Sequence, residues 1–472
     1  MKNIKVNYFI IYYILFTLLI LISINIIIKN NIYHGELDIY LPHYLSNMPL
    51  KNIIFDPICE LDLTRKYFRG REIGSFFNYL DYNFLLVLLY LKIPVFISII
   101  NYLSIFTMVI LVVWCSKKYF SAGINITLPC VLLLLSSPAI LFSGTLYRTN
   151  KIIASLGIFL TILFLIISFK NKKIKKDKNY SRNILIYLSA LLACSSDEQG
   201  LIFTILILFI ILYIDIVFKN KLRSEFLSVL LGLLTYIFYI KFLGIWLFEY
   251  INGITPMTSG VEIGEIFNLG NYYKSLSLLI RYSSYFFGNI YYLGSKSNYF
   301  YVTFYIAYLY YILRFNKFYI NFKILILILL TIIYISVVIH IMTLKHPAIF
   351  WEDIFTYYSL PVIILIFSGF VISINYANST QGISKRVLYL IIGIFIICNI
   401  SSIRHYKDIL RNGHLSYFRV ADTVVKAVYS SNEESAKLVE SLKLKNNVSG
   451  ARSDMNYTQQ GIKILKDKIA SD

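Results

Sequence analysis

A polar segment early in the chain carries His34, Glu36, Asp38, Asp56, Arg69, Gly70, Arg71 and Glu72, in a protein that is 58% hydrophobic and only 15% charged. Charged side chains beside a bilayer are costly to keep without a partner or a use, so this segment is the leading place to look for chemistry. Glu36 and Asp38 alternate, which puts both side chains on one side of an extended strand. Such a pair could deprotonate an acceptor hydroxyl or hold a divalent cation; the competing reading is a solvated loop next to the membrane. Arg69 and Arg71, separated by one glycine, could grip a phosphate. They could equally contact lipid head groups or pair with Glu60, Asp62 and Glu72.

Three further clusters have the same character. Arg148 and Lys151 form one, and Lys345, His346, Glu352 and Asp353 form another. Asp197 and Glu198 form the third, in the turn Ser196-Asp-Glu-Gln-Gly200 between two apolar runs. An unpaired charge is costly there, so the pair either handles substrate or forms an ion pair with Arg148 or Lys151. A lone histidine near an interface is more often structural than catalytic, and His346 precedes Pro347 in what reads as a rigid loop. The sequence has no glycine-rich phosphate loop, no His and Cys zinc spacing and no Gly-x-Ser-x-Gly turn. Nucleotide-driven transport and serine hydrolysis therefore lose support. The five cysteines are scattered and form no disulfide framework.

The elements that must position these groups are membrane helices. Mean hydropathy is +0.67, and the apolar runs repeatedly reach the roughly 20 residues needed to cross a bilayer. A formal charge of +20, from 45 basic against 25 acidic residues, could suggest nucleic acid. The basic residues, however, flank apolar runs, and the densest group, Lys170 to Arg182, reads as a cytoplasmic loop under the positive-inside bias. The run from Tyr8 to Ile28 behind Lys2 and Lys5 reads as a retained first helix. Residues 75–91 are apolar but interrupted by Asp81, which predicts a helix lying partly along the interface before the crossing that ends near Lys117 and Lys118.

Further spans are expected near 124–146, 152–169, 184–195, 201–218, 226–248, 301–315, 320–343, 354–376 and 387–402. The segment 249–271 between two of them reads as a lid loop. The expected fold is thus all-α integral membrane, with about eleven transmembrane helices. Residues 1–402 form the membrane domain with a first outer loop at 30–82, and residues 403–472 form a small extracytoplasmic helical region. The N-terminus is expected in the cytoplasm and the whole chain in the plasma or inner membrane. All four polar clusters then face the same side, where their carboxylates and cations could line one cavity.

This layout resembles the multi-pass glycosyltransferases of the GT-C class. Asp38, in His34-Gly-Glu-Leu-Asp38-Ile-Tyr40, is similar in placement to the first-loop carboxylate of that class, and the loop continues into Arg69-Gly-Arg-Glu-Ile-Gly74. Asp197-Glu-Gln-Gly200 and Trp351-Glu-Asp353 through Tyr357-Tyr-Ser-Leu-Pro361 resemble later substrate-lining segments. The resemblance covers most of residues 1–402.

It implies transfer of a sugar from a polyprenyl-phosphate donor to a surface glycan, lipid or protein on the outer face, and no nucleic-acid partner. Asp38, with Glu36, would be the base or a carboxylate linked to a divalent cation. Arg69, Arg71, Arg148 and Lys151 would stabilise phosphate charge on the leaving group, Asp197, Glu198 and His346 would position the acceptor, and Glu352 and Asp353 would also bind substrate. A clear Asp-Asp or Glu-x-Asp pair is missing unless Glu36-Leu-Asp38 serves as one, which leaves the metal open. Two other functions fit the same pattern. A surface-polysaccharide polymerase or ligase would concentrate its arginines in later outer loops. A lipid-linked oligosaccharide flippase would place charges in mid-span.

Overall fold

The structure, a computed structural model, describes residues 33–34, 41, 43–45, 49–55, 70–120, 131–132, 149–174, 180–219, 222–253, 326–337, 417–418, 421–445 and 452–471, with single residues or pairs elsewhere. These are almost entirely helical. A two-residue strand β1 (Tyr33–His34) precedes α1 (Leu50–Phe55), α2 (Glu72–Tyr90), α3 (Ile99–Phe120), α4 (Thr149–Ile174), α5 (Tyr180–Ser196) and α6 (Glu198–Phe218). A near-continuous rod follows, made of α7 (Arg223–Phe238), a π-turn (Tyr239–Leu243) and α8 (Gly244–Asn252). Strand β2 (Tyr417–Phe418) leads into α9 (Ala421–Tyr429), α10 (Asn432–Lys445) and α11 (Arg452–Ser471).

Three stretches among the described residues are long and apolar enough to cross a membrane: Thr149–Phe169, Glu198–Phe218 and Arg223–Ile251. Their outward faces agree with that solvent. Phe209, Leu212 and Ile216 on α6 and Leu227, Leu231, Leu234 and Phe238 on α7 are all more than 40% exposed. A row of large apolar side chains facing out at helical spacing is what lipid contact requires.

Helix α5 is short and carries Ser189, Ala190 and Ala193 because it is the inner member of this bundle, packed against α4, α6 and α7. Without a hydrophobic drive between helices in lipid, close approach of small residues supplies the packing. A side chain added at Gly157 of α4 would meet the Ala193 backbone at 2.6 Å, and one added at Gly200 of α6 would meet the Ala193 carbonyl oxygen at 1.8 Å. At the far end, beside the basic run, the buried Glu225 of α7 accepts hydrogen bonds from Ser168 Oγ and Ser224 Oγ, and Arg182 Nη1 lies 3.4 Å from Ser168 Oγ.

Helix α2 lies across the ends of the others. Asn78 Oδ1 accepts the Thr149 backbone N–H at 2.9 Å, and Asp81 accepts the Thr149 hydroxyl at 3.0 Å and the Ile100 N–H at 3.2 Å. Helix N-termini leave backbone N–H groups without partners and favour a negative charge nearby. Asp81 and Asn78 meet that need for α3 and α4 together. The aspartate that interrupts an apolar run is thus a cap shared between helices. Burial pushes its carboxyl up to about 6, despite hydrogen bonds from Ser98, Ile100, Thr149 and Ile99.

The second half of α2 belongs to another core. Leu85, Leu86 and Leu89 pack with Leu41, Tyr44, Leu45 and Ile53 of the segment before α2 and with Val424, Val428, Val439, Ile462 and Leu465 of the C-terminal helices. The antiparallel pairing of Tyr33 with Phe418 and of His34 with Tyr417 ties the same two parts of the chain together. The C-terminal helices therefore share one core with residues 41–53 and with α2. The expected loop boundary at residue 82 falls inside α2, whose helix starts at Glu72.

Candidate functional site

Gly70 begins the site. Its φ of +63° is a left-handed conformation that favours glycine, and an added Cβ would lie 2.4 Å from Ile240 Cγ2. The chain can thus run close against the π-turn and deliver Arg71 and Glu72 to the start of α2. Arg71 then reaches the turn between α5 and α6, with Nη1 3.3 Å from Asp197 Oδ2 and Nη2 3.1 Å from Glu198 Oε1.

Asp197 is the N-cap of α6, an ordinary place for aspartate because its side chain satisfies a first-turn N–H. Here the Gln199 N–H donates to Oδ1 at 3.1 Å. Lys151 Nζ lies 2.8 Å from the same oxygen, and Asn150 Nδ2 donates to Oδ2 at 2.9 Å. Asp197 is fully buried and Lys151 nearly so. Burial alone would push the Asp197 carboxyl up, but the charges of Arg71 and then Lys151 outweigh it and hold the group below the usual carboxylate range. Two cations and two N–H groups thus share its two oxygens. Of the two uses the sequence allows it, the ion pair fits, with Lys151 as one partner and Arg71 as a second.

Glu198 is different, since its side chain is 37% exposed and stands at the rim. Glu72 is different again. Half-buried as the first residue of α2, it is pushed up to about 7 by burial, against hydrogen bonds from its own backbone and from the Tyr239 hydroxyl. A carboxyl that titrates near neutrality can both accept and return a proton. Tyr236 lies in the last turn of α7, within electrostatic reach of Arg71, Glu72 and Glu198. Tyr236 and Tyr239 come from the junction of α7 with the π-turn, a local widening that often marks functional positions.

Four expected site residues, Arg71, Lys151, Asp197 and Glu198, are therefore brought together from three separate segments. Glu36, Asp38, Arg69, Arg148, His346, Glu352 and Asp353 lie outside the described residues. Sequence reading did not single out Glu72 as an acid or base, nor Asn150, Gln199, Tyr236 or Tyr239 as neighbours. Asn150 adjoins Lys151, which was a usable signal, whereas two tyrosines among 41 carried none. Among the described residues no three His, Cys, Asp or Glu side chains are grouped to hold a metal ion.

Comparison of the chain with protein-family models, with curated proteins and with solved structures finds no match.

Proposed function

We propose that this protein is an integral-membrane glycosyltransferase with about eleven crossings, which moves a sugar from a polyprenyl phosphate to an acceptor hydroxyl at the outer face of the cell membrane. The observation that carries this reading is the convergence of Arg71, Glu72, Lys151, Asp197 and Glu198 at one end of the apolar bundle. The basic run 170–182 begins in the last turns at the opposite end of α4. Under the positive-inside bias that end is cytoplasmic, so the cluster faces outward with the tail, while the N-terminus is inside.

A lipid-linked phosphosugar has its reactive bond at the depth of such a cluster, where a charge-dense site beside an apolar wall fits both halves of the molecule. The acceptor oxygen bonds to the anomeric carbon while the bond from that carbon to the phosphate oxygen breaks. The electron pair leaves with the phosphate, and the acceptor proton passes to a carboxylate. Arg71 is the cation best placed to stabilise the departing phosphate, since its partner Glu198 is exposed and displaceable. Lys151 acts through Asp197, which it keeps ionised so that Arg71 stays in place. Glu72 is the proton acceptor among the described residues, and Asp38 is the second candidate for that role.

The test is reconstitution in proteoliposomes with a labelled polyprenyl-phosphate sugar, scored separately for sugar release and for movement across the bilayer. Release that falls at least a hundredfold in Arg71→Met, and in either Glu72→Gln or Asp38→Asn, supports the reading. Movement without release would make the protein a flippase. Chain extension of an existing glycan would make it a polymerase.

A further inference from the structure

The first turn of α6 contains a group that the ion-pair cluster does not use. Gln199 is only 3% exposed, and neither its amide nitrogen nor its amide oxygen has a hydrogen-bond partner among the described residues. Its backbone N–H is spoken for by Asp197, and the next residue, Gly200, is pressed against the Ala193 carbonyl. The side chain is therefore held on a turn that cannot shift far. A buried amide left unsatisfied is unfavourable, and a leucine or methionine would fill the same space without that cost. The residues that follow, Leu201, Ile202 and Phe203, are all apolar. An amide at this one position has room for a partner that the described residues do not supply.

We propose that Gln199 recognises the neutral polar face of the ligand, the hydroxyl pair or acetamido group of a sugar, next to the Arg71 and Glu198 ion pair. The proposal rests on the glycosyltransferase reading and assigns the sugar end of its donor. An amide offers two N–H donors and one acceptor, which complements adjacent hydroxyls that each donate and accept. The neighbouring groups divide the work by charge. Arg71 takes the anionic part of the ligand, exposed Glu198 yields its place, and Gln199 meets the uncharged part. Building the recognition group as an orphan also gives selectivity, because a ligand lacking the matching hydroxyls leaves the amide as unfavourable as before.

The experiment uses the full-length protein in detergent micelles and the substitution Gln199→Met. Without ligand, the variant is expected to unfold at the same temperature as the parent or higher. A midpoint several degrees lower would show that the amide already has a partner inside the protein, and would overturn the proposal. Binding is then measured for farnesyl phosphate and for farnesyl phosphate linked to glucose, galactose or N-acetylglucosamine. The parent is expected to bind at least one sugar-bearing lipid about tenfold more tightly than farnesyl phosphate. Gln199→Met should lose that preference and keep its affinity for farnesyl phosphate. A preference that survives in Gln199→Met, or a loss shared equally by the bare phosphate, overturns the proposal. If sugar transfer occurs but the parent shows no sugar preference, Gln199 is misassigned and the transferase stands. If the preference depends on Gln199 but no transfer occurs, the transferase reading fails and the sugar site stands.

Discussion

Lys151→Met tests the physical core of the site. The substitution keeps an unbranched side chain only one atom shorter and removes the cation 2.8 Å from Asp197 Oδ1, in a pair of which the carboxylate is fully buried and the ammonium nearly so. Taking one partner from a buried ion pair costs about 3–5 kcal/mol, because the other charge stays behind without compensation. Asp197 would still have Arg71 at 3.3 Å, Asn150 and the Gln199 N–H, so the lower end, about 3 kcal/mol, is the expected loss.

The double variant Lys151→Met with Asp197→Asn removes both charges and should recover most of that loss, giving a coupling of about 2 kcal/mol. Unfolding by increasing sodium dodecyl sulfate in mixed micelles, followed by tryptophan fluorescence, provides the measurement. The pH dependence adds a second signature. In the parent the Asp197 carboxyl is held low, so the pair stabilises above the unfolded value of 3.8 and is lost only as pH falls through the lower folded value. In Lys151→Met burial dominates and that carboxyl rises, so the deficit should shrink on acidification to about pH 5. A coupling below about 0.5 kcal/mol, or a deficit that does not change with pH, would refute the buried-pair argument.

Three further outcomes follow from the same geometry. Gly200→Ala places a Cβ 1.8 Å from a backbone oxygen of α5, and should destabilise by about 3 kcal/mol or more in the same unfolding assay. Glu72→Gln should stabilise the protein in a pH-dependent way. The Glu72 carboxyl is raised from 4.5 to about 7 on folding, so its charge costs nothing below 4.5, an increasing amount between those values and the full amount above 7. The gain of the variant over the parent should widen across that window and then level off. Val424→Asp buries a charge in the core shared by α2 and the C-terminal helices. It should raise hydrogen exchange in the second half of α2, around residues 85–89, while leaving α4 and α5 protected.

Much of this arrangement was legible in the sequence, for reasons that differ from one residue to the next. Apolar runs of membrane length announced α4, α6 and α7, since length and hydropathy alone select such helices. Asp197 and Glu198 were conspicuous because charge between two apolar runs demands an explanation, and Lys151 was among the partners the sequence offered. Arg71 as a second partner was not legible, because nothing local shows that residue 71 meets residue 197. That contact depends on Gly70 lying against Ile240. Glu72 looked like one more loop carboxylate, since its raised titration comes from burial that no local pattern reports. The C-terminal helices showed their apolar spacing, but their dock on α2 joins residues more than 300 positions apart.

The central claim is that the cluster of Arg71, Lys151, Asp197 and Glu198 serves sugar transfer at the outer face. The most direct measurement reconstitutes the protein with a labelled polyprenyl-phosphate sugar and follows the bond between sugar and phosphate. Polyprenyl phosphate is expected to accumulate with the parent protein and to stop accumulating in Arg71→Met. A labelled lipid that stays intact with the parent, or that Arg71→Met cleaves at the parent rate, would mean that the cluster does not serve sugar transfer.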